Sequence, residues 1–162
     1  MEAKRLDVPI STLAEGPLWD HETQTLYWVD ILGKRIHRYD TKTGSTESLE
    51  LDQYVGAVVP HASGGLVAAM QHGFYRIDFA SGRVEPLIDP ERDKPENRFN
   101  DGKCDPAGRF WAGTMSLTEQ PGAGALYRLD RDGTVRKMID GVSISNGLAW
   151  SPDRKTMYFI DT

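Results

Sequence analysis

Three polar stretches far apart in this sequence carry the residue types for chemistry: Ala14-Glu15-Gly16-Pro17, Asn97-Arg98-Phe99-Asn100-Asp101-Gly102-Lys103 and Ser145-Asn146-Gly147-Leu148-Ala149-Trp150. A hard divalent cation takes anionic and amide oxygens gathered from distant chain positions, so Glu15 and Asn146 suit metal-assisted chemistry. Each also has a plainer reading on residue type alone. A Glu before Gly-Pro reads first as a solvated turn residue, and Asn-Gly is a favoured turn dipeptide because Asn tolerates positive φ. Arg98 and Asn100 flank Phe99, so in an extended segment both side chains lie on one side. There a guanidinium and an amide could fix the hydroxyls of a polyol. Equally, Asn100-Asp101-Gly102 could shape the entry to a strand while Arg98 pairs with a surface acid. Asp101 suits a role orienting its neighbours.

The other reactive residue types form no second set. Cys104 is the single cysteine, which excludes an intramolecular disulfide and a thiolate zinc cluster, and a buried, inert thiol is expected. His21, His37, His61 and His72 form neither a helix-type pair nor a Ser/His/Asp set readable from spacing, and belong on the surface or in strands. Gly64-Gly65 and Gly122-Ala123-Gly124 are turns, since neither lies between a strand and a helix carrying the Lys-Ser/Thr pair of a phosphate loop. With 162 residues, 39% of them hydrophobic and 9% aromatic, the chain has the composition of a soluble globular domain. Its net charge of -5 offers no basic stripe, so neither nucleic acid nor an anionic membrane surface is an expected partner. No apolar run reaches signal-peptide or membrane-spanning length, which makes cytoplasmic residence the expectation.

Distant polar groups need a frame that repeats, and the sequence has one. Gly16-Pro17-Leu18-Trp19, Gly56-Ala57-Val58-Val59, Asp101-Gly102-Lys103-Cys104 and Asn146-Gly147-Leu148-Ala149 start units about 40 to 46 residues apart. Turn-rich segments such as Asp20-His21-Glu22-Thr23 and Asp105-Pro106-Ala107-Gly108 lead into Leu26 to Asp30, Leu66 to Met70, Phe110 to Gly113 and Met157 to Asp161. Third strands are predicted at Ile36 to Asp40, Phe74 to Asp78 and Ala125 to Asp130 from their period-2 alternation. Fourth, more polar strands are predicted at Thr46 to Leu51, Arg83 to Ile88 and Thr134 to Ile139. Asp89 to Asn97 is the longest polar insert and reads as a loop. Four strands per unit predict β-propeller blades, and residues 1–162 cover roughly three and a half of them before the fourth unit stops at Asp161-Thr162. Lys4 to Val8 has the length and polarity of an outer strand that would close a last blade. An open ring leaves strand edges bare, so self-association is expected.

The same stretches, with Asp105-Pro106 and Gly108-Arg109, resemble those of a known family comprising regucalcin (senescence marker protein), gluconolactonases and luciferin-regenerating enzymes, and the resemblance covers essentially the whole chain. It implies an all-β, six-bladed β-propeller with one divalent metal ion (Ca, Zn, Mn or Mg) at the mouth of its central channel, of which this chain is an N-terminal portion. By that resemblance Glu15 and Asn146 are metal ligands, and Arg98 and Asn100 bind the substrate. The family's third ligand, an Asp that doubles as general base, is expected beyond the chain end, so no catalytic residue is assigned within it. A family substrate contact is an acidic residue shortly after a Gly-Thr-Met segment. Here Ser116-Leu117-Thr118-Glu119 puts Glu119 near that position without matching it. The implied activity is metal-dependent hydrolysis of a sugar lactone to the aldonic acid. The alternative is a non-catalytic calcium-binding or protein-interaction propeller, or a truncated product with no activity of its own.

Overall fold

A computed structural model describes residues 2–162, and within each of their sheets the strands pair antiparallel in sequence order. The first sheet is β1 (Ala14–Asp20), β2 (Thr25–Asp30), β3 (Arg35–Asp40) and β4 (Thr46–Glu50). The second is β5 (Val55–Pro60), β6 (Leu66–Met70), β7 (Gly73–Asp78) and β8 (Arg83–Ile88). The third is β9 (Asn97–Cys104), β10 (Phe110–Ser116), β11 (Gly124–Leu129) and β12 (Val135–Val142). A two-stranded sheet follows, β13 (Ser145–Trp150) and β14 (Met157–Asp161). Among the described residues no sheet closes on itself.

The hairpins are built locally. Asp20, Asp40, Asp78 and Asp105 each turn a carboxylate back onto the amide two residues on, at 2.9, 2.7, 3.1 and 2.9 Å, the Asx geometry that gives Asp its turn preference. Alternation then sorts each strand's side chains between two faces. Val58, Ala68 and Ile77 of the second sheet pack with Tyr27, Val29 and Ile36 of the first. Ala57, Ala69 and Phe74, on the opposite face, pack with Phe99, Phe110, Ala112 and Tyr127 of the third. The Phe74 ring lies 4.7 Å from Phe99 and 5.6 Å from Phe110. A smaller cluster of Trp111, Leu126 and Leu148 joins the third sheet to the fourth. The second sheet is therefore covered on both faces, whereas β14 leaves Tyr158 and Ile160 each 58% exposed.

Several expected bounds need adjusting: the strand at Phe110 to Gly113 runs on to Ser116, that at Thr46 to Leu51 ends at Glu50, and Asn97, read as loop, begins β9. The predicted strands at Ala125 to Asp130 and Thr134 to Ile139 are Gly124–Leu129 and Val135–Val142, so the second of them is longer. Lys4 to Val8 forms no strand. The chain before β1 is held instead at Thr12 and Leu13, whose amides donate to the buried Asp30 carboxylate at 2.8 and 2.9 Å, and at Ser11, which accepts from Trp28 Nε1 at 3.3 Å. A strand needs a partner edge, and the segment 4–8 meets none here. No helix of the described residues is long and apolar enough to cross a membrane.

Candidate metal and substrate site

The four strands that begin the sheets, β1, β5, β9 and β13, pack side by side, and each carries a register shift against its partner. In β1 the shift lies between Glu15 and Leu18, in β5 between Val55 and Ala57, and in β13 between Ser145 and Leu148. In β9, Gly102 pairs with Ala112 but Phe99 pairs with Thr114, which places Asn100 and Asp101 opposite Gly113 alone. A bulge of this kind re-aims side chains next to it. The polar candidates thus sit at or beside the bulges: Glu15, Asn100, Asp101 and Asn146. Gly147 reaches φ 88, the left-handed region that a bulge residue needs and that glycine enters without strain. Gly56 is required for another reason. A Cβ there would overlap the backbone oxygens of Phe99 and Asn100, so glycine lets β5 lie directly against β9.

The start of β9 is tightly engaged. Arg98, 8% exposed, donates from Nη1 to Phe99 O at 3.1 Å and to Asn100 Oδ1 at 2.8 Å. Asn100 Nδ2 in turn donates to Ser145 O at 2.8 Å. Arg98 and Asn100 therefore share a side as the spacing predicts, and Asn100 bridges Arg98 to β13. Asp101 accepts from Gly102 N with one carboxylate oxygen and from Gly147 N with the other, each at 2.8 Å. This carboxylate pins the backbone beside Asn146, in keeping with an orienting role. Burial lowers the Arg98 pKa, and the neighbouring Tyr54 and Glu119 oppose that shift. A guanidinium keeps its charge through such a change.

Glu15 and Asn146 line one cleft of about 400 Å³ together with Asp101, Lys103 and Cys104. Arg98 and Asn100 are not among its walls. Both Glu15 and Asn146 are exposed, and among the described residues neither side chain takes part in a hydrogen bond. Their donor set, one carboxylate and one amide oxygen, suits a hard divalent cation. Among the described residues no group of three or more His, Cys, Asp or Glu side chains could hold a metal ion. These two residues fit such an ion as part of a shell and do not complete it.

Cys104 lies on a wall of the cleft and is only partly buried, against the expectation of a buried thiol. Burial, then the Asp105 charge, pushes its pKa up to about 11, so the thiol stays protonated near neutrality. His37 is buried on β3, its ring stacked 4.9 Å from Trp28 and its Nδ1 2.7 Å from Ser48 Oγ. Sequence reasoning passed over Glu91, in the connection before β9, which is 7% exposed and bonded to Asn97 and Tyr127. Its partners lie on different elements, so no local motif marks it.

A family model described as "SMP-30/Gluconolactonase/LRE-like region" matches residues 13–162. The chain is 41% identical over 152 residues to the putative sugar lactone lactonase YvrE of Bacillus subtilis, covering 94% of this chain and 52% of the relative. It is 40% identical over 152 residues to a 6-deoxy-6-sulfogluconolactonase of Pseudomonas putida, with 94% and 52% covered. The crystal structure of regucalcin from Agrobacterium tumefaciens, described as a calcium-binding protein, superposes with a TM-score of 0.90 at 33% identity, over 97% of this chain and 53% of that one. The chain spans about half the length of these relatives. It belongs to the SMP-30/gluconolactonase/luciferin-regenerating-enzyme family.

Proposed function

We propose that this chain supplies one side of a sugar-lactone hydrolase site of the gluconolactonase type, in a six-bladed propeller whose first blades are the sheets described above. The observation that carries the reading is the meeting of Glu15 and Asn146 in one cleft, both unengaged, while Asp101 fixes the backbone beside Asn146. The names of the lactonase relatives supply the reaction class. Hydrolysis adds water to the lactone carbonyl and breaks the ring ester bond, leaving the open-chain aldonic acid. Glu15 and Asn146 would hold a divalent cation, which when bound would polarise that carbonyl. Arg98 and Asn100 orient the sugar hydroxyls. The guanidinium has donors beyond the Nη1 group that bonds Phe99 O and Asn100 Oδ1, and Asn100 keeps a second amide hydrogen. Their mutual bond fixes both side chains before substrate arrives, which favours productive orientation.

Glu15 and Asn146 supply one carboxylate and one amide oxygen, and among the described residues no group of three or more His, Cys, Asp or Glu side chains completes a metal site, so on this reading the remaining ligand and the general base come from elsewhere. The test is lactone hydrolysis by the purified chain, alone and mixed with the C-terminal half of the Bacillus subtilis relative, each with and without chelator. Alone, the chain should turn over near background; the mixture should show chelator-sensitive hydrolysis. Chelator-sensitive turnover by the chain alone at the rate of the mixture would contradict this division, unless two copies were shown to share a site. A calcium-binding propeller without catalysis, the reading suggested by the description of the Agrobacterium protein, would bind metal in the mixture and leave the lactone intact.

A further inference from the structure

The connection 89–96 folds back onto the third sheet through one carboxylate. Glu91 is 7% exposed, although charged side chains are ordinarily solvated in connections. Its Oε2 accepts from Asn97 Nδ2 at 2.9 Å and its Oε1 from Tyr127 OH at 3.0 Å, while Lys94 Nζ stands 3.6 Å away. Burial, then the Glu91 charge, pushes the Tyr127 pKa up, which keeps the phenol a donor. Lys94 Nζ and Asn97 Nδ2 both donate to Ala123 O, at 2.9 and 3.0 Å, and Leu117 N donates to Glu96 O at 2.8 Å. One cluster therefore joins the connection, the first residue of β9, the middle of β11 and both ends of the 117–123 loop. Arg98 follows Asn97 directly, and Glu119, whose charge acts on Arg98, is carried by that loop.

Burying a carboxylate is unfavourable unless its lone pairs are satisfied, and a well-packed apolar side chain often serves stability as well. The two directional bonds of Glu91 do what an apolar filler cannot: they fix where β9 begins relative to β11. We propose that Glu91 is a positioning residue for the substrate side of the site, setting the placement of Arg98 and of the 117–123 loop. The proposal rests on the lactonase reading for its catalytic consequence and on the geometry alone for its structural one.

The test compares Glu91→Ala, Glu91→Met and Glu91→Gln with the unaltered chain by two readouts. In amide hydrogen exchange on the chain itself, Glu91→Ala and Glu91→Met should speed exchange about tenfold at 97–99 and 117–123 and leave 35–40 and 145–150 unchanged. Glu91→Gln keeps one acceptor oxygen, for Asn97 Nδ2, and turns its amide nitrogen to Tyr127, whose hydroxyl can accept, so it should restore most of the protection. In lactone hydrolysis by the mixture with the Bacillus half, Glu91→Ala and Glu91→Met should raise KM about tenfold with kcat within about threefold, and Glu91→Gln should lie near the unaltered protein. A Glu91→Met variant that matches the unaltered chain in both readouts would overturn the proposal, since the residue would then be a filler. So would exchange accelerated evenly through all sheets. If the unaltered mixture hydrolyses no lactone, the lactonase reading fails by itself, and the exchange pattern still decides whether Glu91 positions β9.

Discussion

The two sides of the candidate site are built on opposite terms. At the start of β9, Arg98 is tied to Asn100, and Asn100 and Asp101 are each tied to β13, by hydrogen bonds of 2.8 Å. At β1 and β13, Glu15 and Asn146 face the cleft exposed and unengaged. Both arrangements come from the same device, a bulge near the start of an inner strand. The difference lies in what the bulge turns inward. Groups that must recognise a particular shape are held rigid before it arrives, which lowers the entropy lost on binding. On the proposed metal-binding reading, Glu15 and Asn146 gain by staying unengaged, because any internal hydrogen bond would have to break before a cation bound.

If the β9 side is a rigid support, its foundation should be the most costly part to disturb. Phe99 is 1% exposed, between the rings of Phe74 and Tyr127 at 4.7 and 6.0 Å. Phe99→Ala should lower stability by about 3 to 5 kcal/mol in chemical denaturation, whereas Tyr158→Ala, on the exposed face of β14, should stay within about 0.5 kcal/mol. A small effect at Phe99 would break the contrast. Next is Arg98→Ala, which should lower kcat/KM of the two-half mixture by roughly one to three decades, about 1.4 kcal/mol of barrier per decade, with the metal titration little changed. Equal loss of metal binding and turnover would make Arg98 a structural residue. Asp101→Ala removes the contacts to Gly102 N and to Gly147 N, the latter beside Asn146, and should cost about 1 to 3 kcal/mol of stability, with weaker metal binding. Asp101→Asn, which keeps the shape, should lie between.

The smallest effect is one of pH, at the far end of β9. Burial alone would raise the Asp105 pKa, but donors from Arg109 N, Trp111 Nε1, the Arg109 side chain and Ala107 N win and hold it below the usual carboxylate range. For a depressed carboxylate the stabilisation is present above its unfolded pKa of about 3.9 and is lost as pH falls through the lower folded value. Stability should therefore drop with acid below about pH 4. Asp105→Asn should flatten that dependence relative to the unaltered chain, and an unchanged acid limb would show that other carboxylates govern it.

What was legible in the sequence was mainly local. Each four-stranded sheet is a chain of hairpins whose turns carry their own Asp or Gly signal, so period, strand order and the sharing of a side by Arg98 and Asn100 could all be read directly. The bulges could not, because a bulge is a mismatch between two strands, and Glu15, Asn100 and Asn146 show it only once Val29, Gly113 and Asp161 are placed opposite or nearby. Glu91 was hidden for the same reason, its partners Asn97 and Tyr127 being 6 and 36 residues away. Lys4 to Val8 has the composition of a strand, but pairing also takes a partner edge, which composition does not supply.

The central claim, that Glu15 and Asn146 meet on one cation, is tested most directly by titrating the isotope-labelled chain with Mn²⁺ and following paramagnetic broadening of assigned amide signals. The signals of Glu15, Gly16, Asn146 and Gly147 should broaden first, before those at the turn carboxylates Asp20, Asp40 and Asp78, and Glu15→Gln should remove this selectivity while leaving the fold intact. Broadening confined to the turn carboxylates, or a pattern unchanged by Glu15→Gln, would contradict the account.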